Sequence, residues 1–344
     1  NIGLEKGESM EKTVSVVIPV YNCKDYIEET IMSILKQPRQ VKEIIIVDDG
    51  STDGSGEICE LFSQRGENIT IIHQKNSGVS VARNQGLKKA LGDYVVFCDA
   101  DDIWVDNFFD DTIVAQLSDD YDIVGYQHYE SDELLEDKKL IDNKSDGILN
   151  GGLDAIWSHG KRHIGCLFFK NSFLKEKNII FPPNLKYNED EIFKVEAECL
   201  CNKMAFYTKP MYIYRLNSAS AVHNLDGNIL GRYQIWMQAW RKMDEWLLEN
   251  HDVESNFGTK FAEMYFIEMC IVYTEALKPL SILNELIVRH QNEDTSTLLS
   301  EREYPNYLQK EVYLLRNHKR LFFIKHRIVG SVRYIKRSFC KRRK

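Results

Sequence analysis

Asp99, Asp101 and Asp102 place three carboxylates within four residues, directly after the apolar run Tyr94-Val-Val-Phe-Cys98. Carboxylates this close repel one another, and even partial burial strips hydration that nothing local replaces. A hard divalent cation with oxygen ligands is a natural neutraliser, and an acidic turn capping the next helix is the plainer alternative. Two other acidic groups hold similar potential: Asp48-Asp49, which opens Gly50-Ser-Thr-Asp-Gly-Ser55, and Glu189-Asp190-Glu191. The latter precedes a helical pattern (Ile192, Val195, Leu200). A helix N-terminus favours an ionised carboxylate that can take a proton.

Strands and helices must hold these groups. Thr13 to Pro19 reads as a buried strand, followed by a helix to about Gln37 that Asp25 would cap, with Ile27, Ile31, Ile34 and Leu35 on one face. Glu43 to Val47 is a second strand that delivers Asp48 and Asp49, and a helix with Ile58, Leu61 and Phe62 comes next. Ile69 to His73 is a third strand, and Asn76-Ser77-Gly78 opens a helix through Leu91, with Val79, Ala82, Leu87 and Leu91 inward. The fourth strand ends at the aspartates. This alternation predicts an α/β layer on a mainly parallel sheet, whose ligands bind beyond the strand C-termini. Tyr121 to Tyr129, Ile164 to Lys170 and Ala205 to Tyr214 read as further strands, Glu133 to Asp146 as a charged loop, and the chain from Asp226 as helical.

Composition sets broad limits. The 344 residues are 43% hydrophobic and 28% charged, ordinary for a globular protein with one large or two modest domains. Phe261 to Leu280, the most apolar long segment, is broken by Glu263, Glu268 and Glu275, so it reads as a packed helix and not a membrane span. No signal peptide is apparent at the N-terminus, and the eight scattered cysteines form no Cys-x-x-Cys pair. Reduced thiols in a cytoplasmic protein are therefore expected. The net charge of −8 combines +12 over residues 316–344 with, by difference, −20 elsewhere. That split argues against general nucleic-acid binding and for a local contact with an anionic surface.

Five stretches together resemble glycosyltransferase family 2: Val17-Ile-Pro-Val-Tyr-Asn22, Val47-Asp-Asp-Gly-Ser-Thr-Asp-Gly-Ser55, Asn76-Ser-Gly-Val-Ser-Val-Ala-Arg-Asn-Gln-Gly86, Asp99-Ala-Asp-Asp102 and Asn188-Glu-Asp190. They lie in order between Thr13 and His223, and the last third is not covered. The resemblance implies a GT-A fold, Rossmann-like, with a helical C-terminal region. It also implies inverting transfer from a nucleoside-diphosphate sugar, with a UDP-sugar favoured, to a saccharide or lipid-linked glycan acceptor. Pro19, Tyr21, Asp49, Arg83, Asp99 and Arg215 would bind the donor. Tyr21 would stack on a pyrimidine and Asp49 would accept from its imide N–H. Asp101 and His223 would hold Mn²⁺ or Mg²⁺, and Asp190 would be the general base.

The expected layout is a disordered leader (1–12), the GT-A domain (13–224), a helical region (225–315) and a basic amphipathic tail (316–344). In the tail Leu321, Ile324, Ile328, Val332, Ile335 and Phe339 form one apolar stripe flanked by Lys and Arg. Such a helix suits either the inner face of the plasma membrane or packing on the body. Gln238-Ala-Trp-Arg241-Lys242 only mimics the motif of processive members, so one sugar per acceptor is expected; the family resemblance implies a role in surface polysaccharide synthesis. Two alternatives are a catalytically silent scaffold of the same fold and a sugar nucleotidyltransferase. The latter should carry a Gly-rich basic loop after the first strand, where this chain has Pro19-Val-Tyr-Asn22.

Overall fold

A computed structural model describes residues 11–217 except 38–39, 67, 119, 142–145, 153–162, 184 and 186–187, together with positions 237, 240, 241, 243, 245, 249, 266, 270, 310 and 323–326. The chain divides into two compact units, Asn1–His223 and Asn224–Lys344.

In the first unit the elements run β1 (Val14–Val20), α1 (Ile27–Leu35), β2 (Val41–Asp48), α2 (Ser55–Ser63), β3 (Ile69–His73), α3 (Val79–Lys89) and β4 (Tyr94–Phe97). After β4 come β5 (Ile103–Trp104), α4 (Asp111–Gln116), β6 (Ile123–Asp132), β7 (Lys138–Ile141) and β8 (Gly147–Asn150). A 3₁₀ turn (Ile164–Cys166) leads into β9 (Leu167–Lys170), α5 (Asn171–Glu176), α6 (Glu189–Leu200) and β10 (Lys203–Leu216). One sheet follows the order β3-β2-β1-β4-β9-β6-β10-β5, with β7 beside β6 and β8 beside β10.

The β3-β2-β1-β4 half is wholly parallel. Every residue of β1 is buried, as a central parallel strand covered on both faces requires. Side chains alternate between two cores. Val14, Val16 and Ile18 of β1 and Ile44 and Ile46 of β2 face a cluster with Ile27, Ile31 and Ile34 of α1 and Cys59 of α2. Val17, Ile45, Val95 and Phe97 face the other cluster, with Ala82 and Leu87 of α3, Phe173 of α5 and Phe193 of α6. The sheet is therefore a middle layer between helices, with its strand C-termini along one edge.

Beyond β4 the sheet is mixed: β9 is antiparallel to β4 and β6, whereas β6 and β10 are parallel. Five local expectations are corrected. Leu35 of α1, expected on the apolar face, is exposed, and Leu91 lies past the end of α3 and is exposed. Tyr26, not Asp25, is the cap residue of α1, and it makes no side-chain capping bond. The charged segment from Glu133 contains β7, whose backbone pairs with β6 although Lys138, Lys139 and Leu140 are exposed. The expected strand from Ile164 begins as a 3₁₀ turn, with Gly165 N–H donating to His163 Nδ1.

In the second unit all described positions are helical, and Met237, Trp240, Met243, Phe266 and Cys270 are buried. Four residues of the expected tail are described. Ile324 is exposed and His326 buried, so at this turn the apolar stripe is not the buried face. Among the described residues no helix is long and apolar enough to cross a membrane. The expectations for residues 1–10, most of 225–315 and the rest of the tail lie outside the described residues.

Candidate functional site

Pro19 is buried near the end of β1, and Tyr21, just past it, is half exposed. At the end of β2 the Asp49 carboxylate is buried and accepts three hydrogen bonds from the loop before α3: Ser77 N–H (2.7 Å), Gly78 N–H (2.8 Å) and Gln74 Nε2 (2.7 Å). Gly50 adopts φ 76°, and a Cβ there would come within 2.9 Å of the Asn76 nitrogen. Only glycine allows this turn to lie against the loop. Asn22, also just past β1, ties the two strand ends together by accepting from Thr52 N–H (2.8 Å).

At the end of β4 the three aspartates sit in different environments. Asp99 accepts from Arg83 Nη2 (2.8 Å), and the other guanidinium terminus of Arg83 donates to Glu189 Oε1 (2.9 Å). Arg83 is buried, so α3 joins the acidic loop to the first turn of α6 through one desolvated, doubly paired cation. Burial works against ionisation of Asp99, but Arg83 and His163 hold its carboxyl below the usual range.

Asp101 has a weaker partner, the Asn217 side-chain amide at 2.5 Å. Burial and the neighbouring Asp99 charge push its carboxyl up to about 6. Asp102 is fully buried; it accepts from Tyr212 O–H (2.7 Å) and Arg215 N–H (2.8 Å), and burial beside Asp101 and Asp99 raises it well above the ordinary range.

Arg215 is committed to the protein. Its Nε donates to Asp101 O (2.7 Å), Nη1 to Glu133 O (2.8 Å) and Nη2 to Glu29 (2.6 Å), and its guanidinium lies 5.1 Å from the Tyr26 ring centroid. In this arrangement it braces the acidic loop against α1. Asp190 is half-buried at the second position of α6 and has no hydrogen-bond or ion-pair partner among the described residues. Glu189 beside it is buried, which pushes its carboxyl up to about 7 against the pull of Arg83.

Arg83, Asp99, Asp101 and Arg215 are therefore joined in one network that reaches Glu189, the neighbour of Asp190. Pro19, Tyr21 and Asp49 stand at adjacent strand ends, and His223 lies outside the described residues. Sequence reasoning missed His163, which stacks on Tyr212 (ring centroids 4.9 Å apart) with Nε2 3.8 Å from Asp99. It accepts Gly165 N–H at Nδ1, so a neutral ring carries its proton at Nε2, facing Asp99. Burial lowers its pKa. No motif surrounds it, so nothing in the sequence could have singled it out. Tyr212 could have been suspected only from its place two residues before Tyr214-Arg215.

Among the described residues, Asp99, Asp102 and His163 form a group whose donor atoms lie within 4.8 Å of one another and could hold a metal ion. Both Asp102 oxygens are already engaged, whereas Asp101, its carboxyl raised by burial and by Asp99, has no ion-pair partner among the described residues. A divalent ion reaching Asp101 and Asp99 would relieve that state, so the residues fit a metal.

Residues 15–179 match the Glycosyl transferase family 2 model. The glycosyltransferase GlyG of Streptococcus pneumoniae is 42% identical over 223 residues, which cover 61% of this chain and 73% of that relative. The chain belongs to glycosyltransferase family 2. EpsJ of Bacillus subtilis, an uncharacterised glycosyltransferase, is 29% identical over 221 residues, and the match spans 60% of this chain but only 62% of EpsJ. TarS of S. aureus, crystallised in complex with UDP-GlcNAc, superposes with a TM-score of 0.57 over 87% of this chain and 78% of TarS. At 21% identity that likeness speaks for the fold alone. The GT-A architecture accounts for the acidic loop and the N-terminus of α6 meeting at one sheet edge.

Proposed function

We propose that this family 2 enzyme transfers one sugar, with inversion, from a nucleoside-diphosphate sugar to a saccharide hydroxyl. A UDP-sugar is favoured as donor, since TarS shares the fold and has been crystallised with UDP and with UDP-GlcNAc. One observation carries the reading: Arg83 bridges Asp99 of the acidic loop to Glu189, so the donor side and Asp190 share one rigid frame. Tyr21 offers an exposed ring to a pyrimidine. A carboxylate has about four acceptor positions, so Asp49, with three taken by the loop, keeps one for a base N–H. Asp190, which has no hydrogen-bond or ion-pair partner among the described residues, takes the proton from the acceptor hydroxyl.

Asp99 and Asp101 would hold Mn²⁺ or Mg²⁺, which when bound supplies charge neutralisation for the departing diphosphate. His223 completes the metal site in this reading, and Arg215 helps by fixing the Asp101 backbone. The setting is surface polysaccharide assembly on the cytoplasmic side, in keeping with the free thiols of the described cysteines. Residues 316–344 would contact anionic lipid, with the glycan acceptor in reach.

Calorimetry of UDP with and without Mn²⁺ tests the donor site. Metal-dependent binding is expected in the wild type and in Asp190→Asn, with Asp101→Ala losing it and Asp190→Asn losing turnover. Silence toward UDP, GDP and dTDP would move the protein to a scaffold role, and retained turnover in Asp190→Asn would remove the base assignment.

A further inference from the structure

His73 closes β3, the edge strand of the parallel half, and pairs in register with Asp48 at the end of β2. Its ring lies between two carboxylates: Nδ1 is 2.9 Å from Asp48 Oδ2 and Nε2 is 2.7 Å from Glu60 Oε1 on α2. Both distances are in hydrogen-bonding range, and a carboxylate can only accept. A neutral imidazole has one N–H, so it would leave one of the two carboxylates facing a lone pair. Only the imidazolium satisfies both.

The contact leads straight into the donor turn. The other Asp48 oxygen accepts Ser51 N–H (3.0 Å), and Asp48 O accepts Gln74 N–H (2.9 Å). Gln74, next to His73, holds Asp49 by its side chain (2.7 Å). Space has been kept for the pair, since a Cβ on Gly56 of α2 would meet Asp48 Oδ2 at 2.9 Å and His73 Cε1 at 3.5 Å.

We propose that His73 is a proton-linked positioning residue for the nucleotide turn. Charged, it clamps Asp48 to Glu60 and fixes Asp49; donor affinity weakens as pH rises and that proton is lost. The inference rests on the donor reading of Asp49 given above. The surroundings agree. Glu60 and Asp48 hydrogen bonds raise the His73 pKa, while burial of Asp48 is outweighed by the Ser51 and His73 bonds that lower its own. Cys59 of α2 and Cys23 after β1, the nearby thiols, are pushed by burial to about 12 and stay protonated throughout. Among the described residues no lysine or arginine pairs with either carboxylate. Half of the ring is exposed to water, so the proton exchanges freely.

Glu60→Gln is the decisive variant, because a glutamine amide can donate to a neutral imidazole and so satisfies the deprotonated clamp. UDP affinity is measured with Mg²⁺ from pH 6 to pH 8.5 in wild type, Glu60→Gln and His73→Gln. Asp101 and Glu189 also titrate in this range, so the difference between proteins is what counts. Wild-type affinity is expected to fall about fivefold more across the range than that of either variant, the lower end of typical site-to-site coupling. Nitrogen-15 NMR of the imidazole should show both ring nitrogens protonated at pH 6 and a lower pKa in Glu60→Gln. Equal pH slopes in all three proteins, with UDP bound, would overturn this proposal alone. No UDP binding to wild type at any pH would overturn the donor reading and this inference together.

Discussion

Arg83 shows how much one side chain carries. It is the buried counter-charge for both Asp99 and Glu189, and removing it would strip Glu189 of its ion pair and leave Asp99 only the longer contact with His163. Arg83→Met should therefore lower stability by about 3–5 kcal/mol, the usual cost of breaking a buried ion pair from one side; urea denaturation without donor or metal would read it. The residue was legible in the sequence as a member of the Asn76–Gly86 motif, but not its task, because nothing in a helix pattern says which acids meet an arginine across 16 and 106 residues. Asp99, Asp101 and Asp190 stood out only as members of the family motifs, because an acidic cluster at a strand or helix end reads equally well as a helix cap. His163 did not, since a single histidine acquires meaning only from the rings stacked around it.

Helix α3 packs closely on β1. A Cβ on Gly86 would sit 2.3 Å from Val17 Cγ1, so the helix approaches the sheet only because Gly86 has no side chain. Gly86→Ala should cost about 1–3 kcal/mol from overpacking. Adding Val17→Ala should recover much of that loss, which a double-mutant cycle of thermal unfolding would reveal. The strands of the parallel half were readable because they are continuous apolar runs. β7 and β8 were not, because their side chains are largely exposed and their backbone pairing with β6 and β10 leaves no hydrophobic pattern.

At the level of the whole molecule, several carboxyl groups bind protons more tightly when folded. Burial raises Asp101 to about 6, Glu189 to about 7 and Glu196 to about 8. In such groups the folded state holds the proton that the unfolded chain has released, so stability falls as pH rises through that interval. His73 acts in the same direction, with stability lost as pH passes its raised pKa. Asp48, Asp53, Asp93 and Asp99 act oppositely, losing their contribution as pH falls below the ordinary carboxylate range. Without donor or metal, the melting temperature is expected to be higher near pH 5.5 than near pH 8. Glu196→Gln should raise it at pH 8.5 and change it little at pH 4, below the carboxyl's ordinary value, as scanning calorimetry can check. Identical profiles for wild type and variant would remove Glu196 from the account.

The long strand β10 also sets the order in which the protein can become an enzyme. Tyr212 and Arg215 reach Asp102 across 110 and 113 residues, and Asn217 reaches Asp101 across 116. On a ribosome, β1 to β4 can assemble from neighbouring units as they emerge, since their pairings are comparatively local. Arg83 can hold Asp99 earlier, but Asp101 and Asp102 gain these braces only once residues up to Asn217 have been made. A nascent chain thus carries a folded parallel half whose acidic loop is only partly held, and β10, the last strand among the described residues, completes the sheet and that loop together.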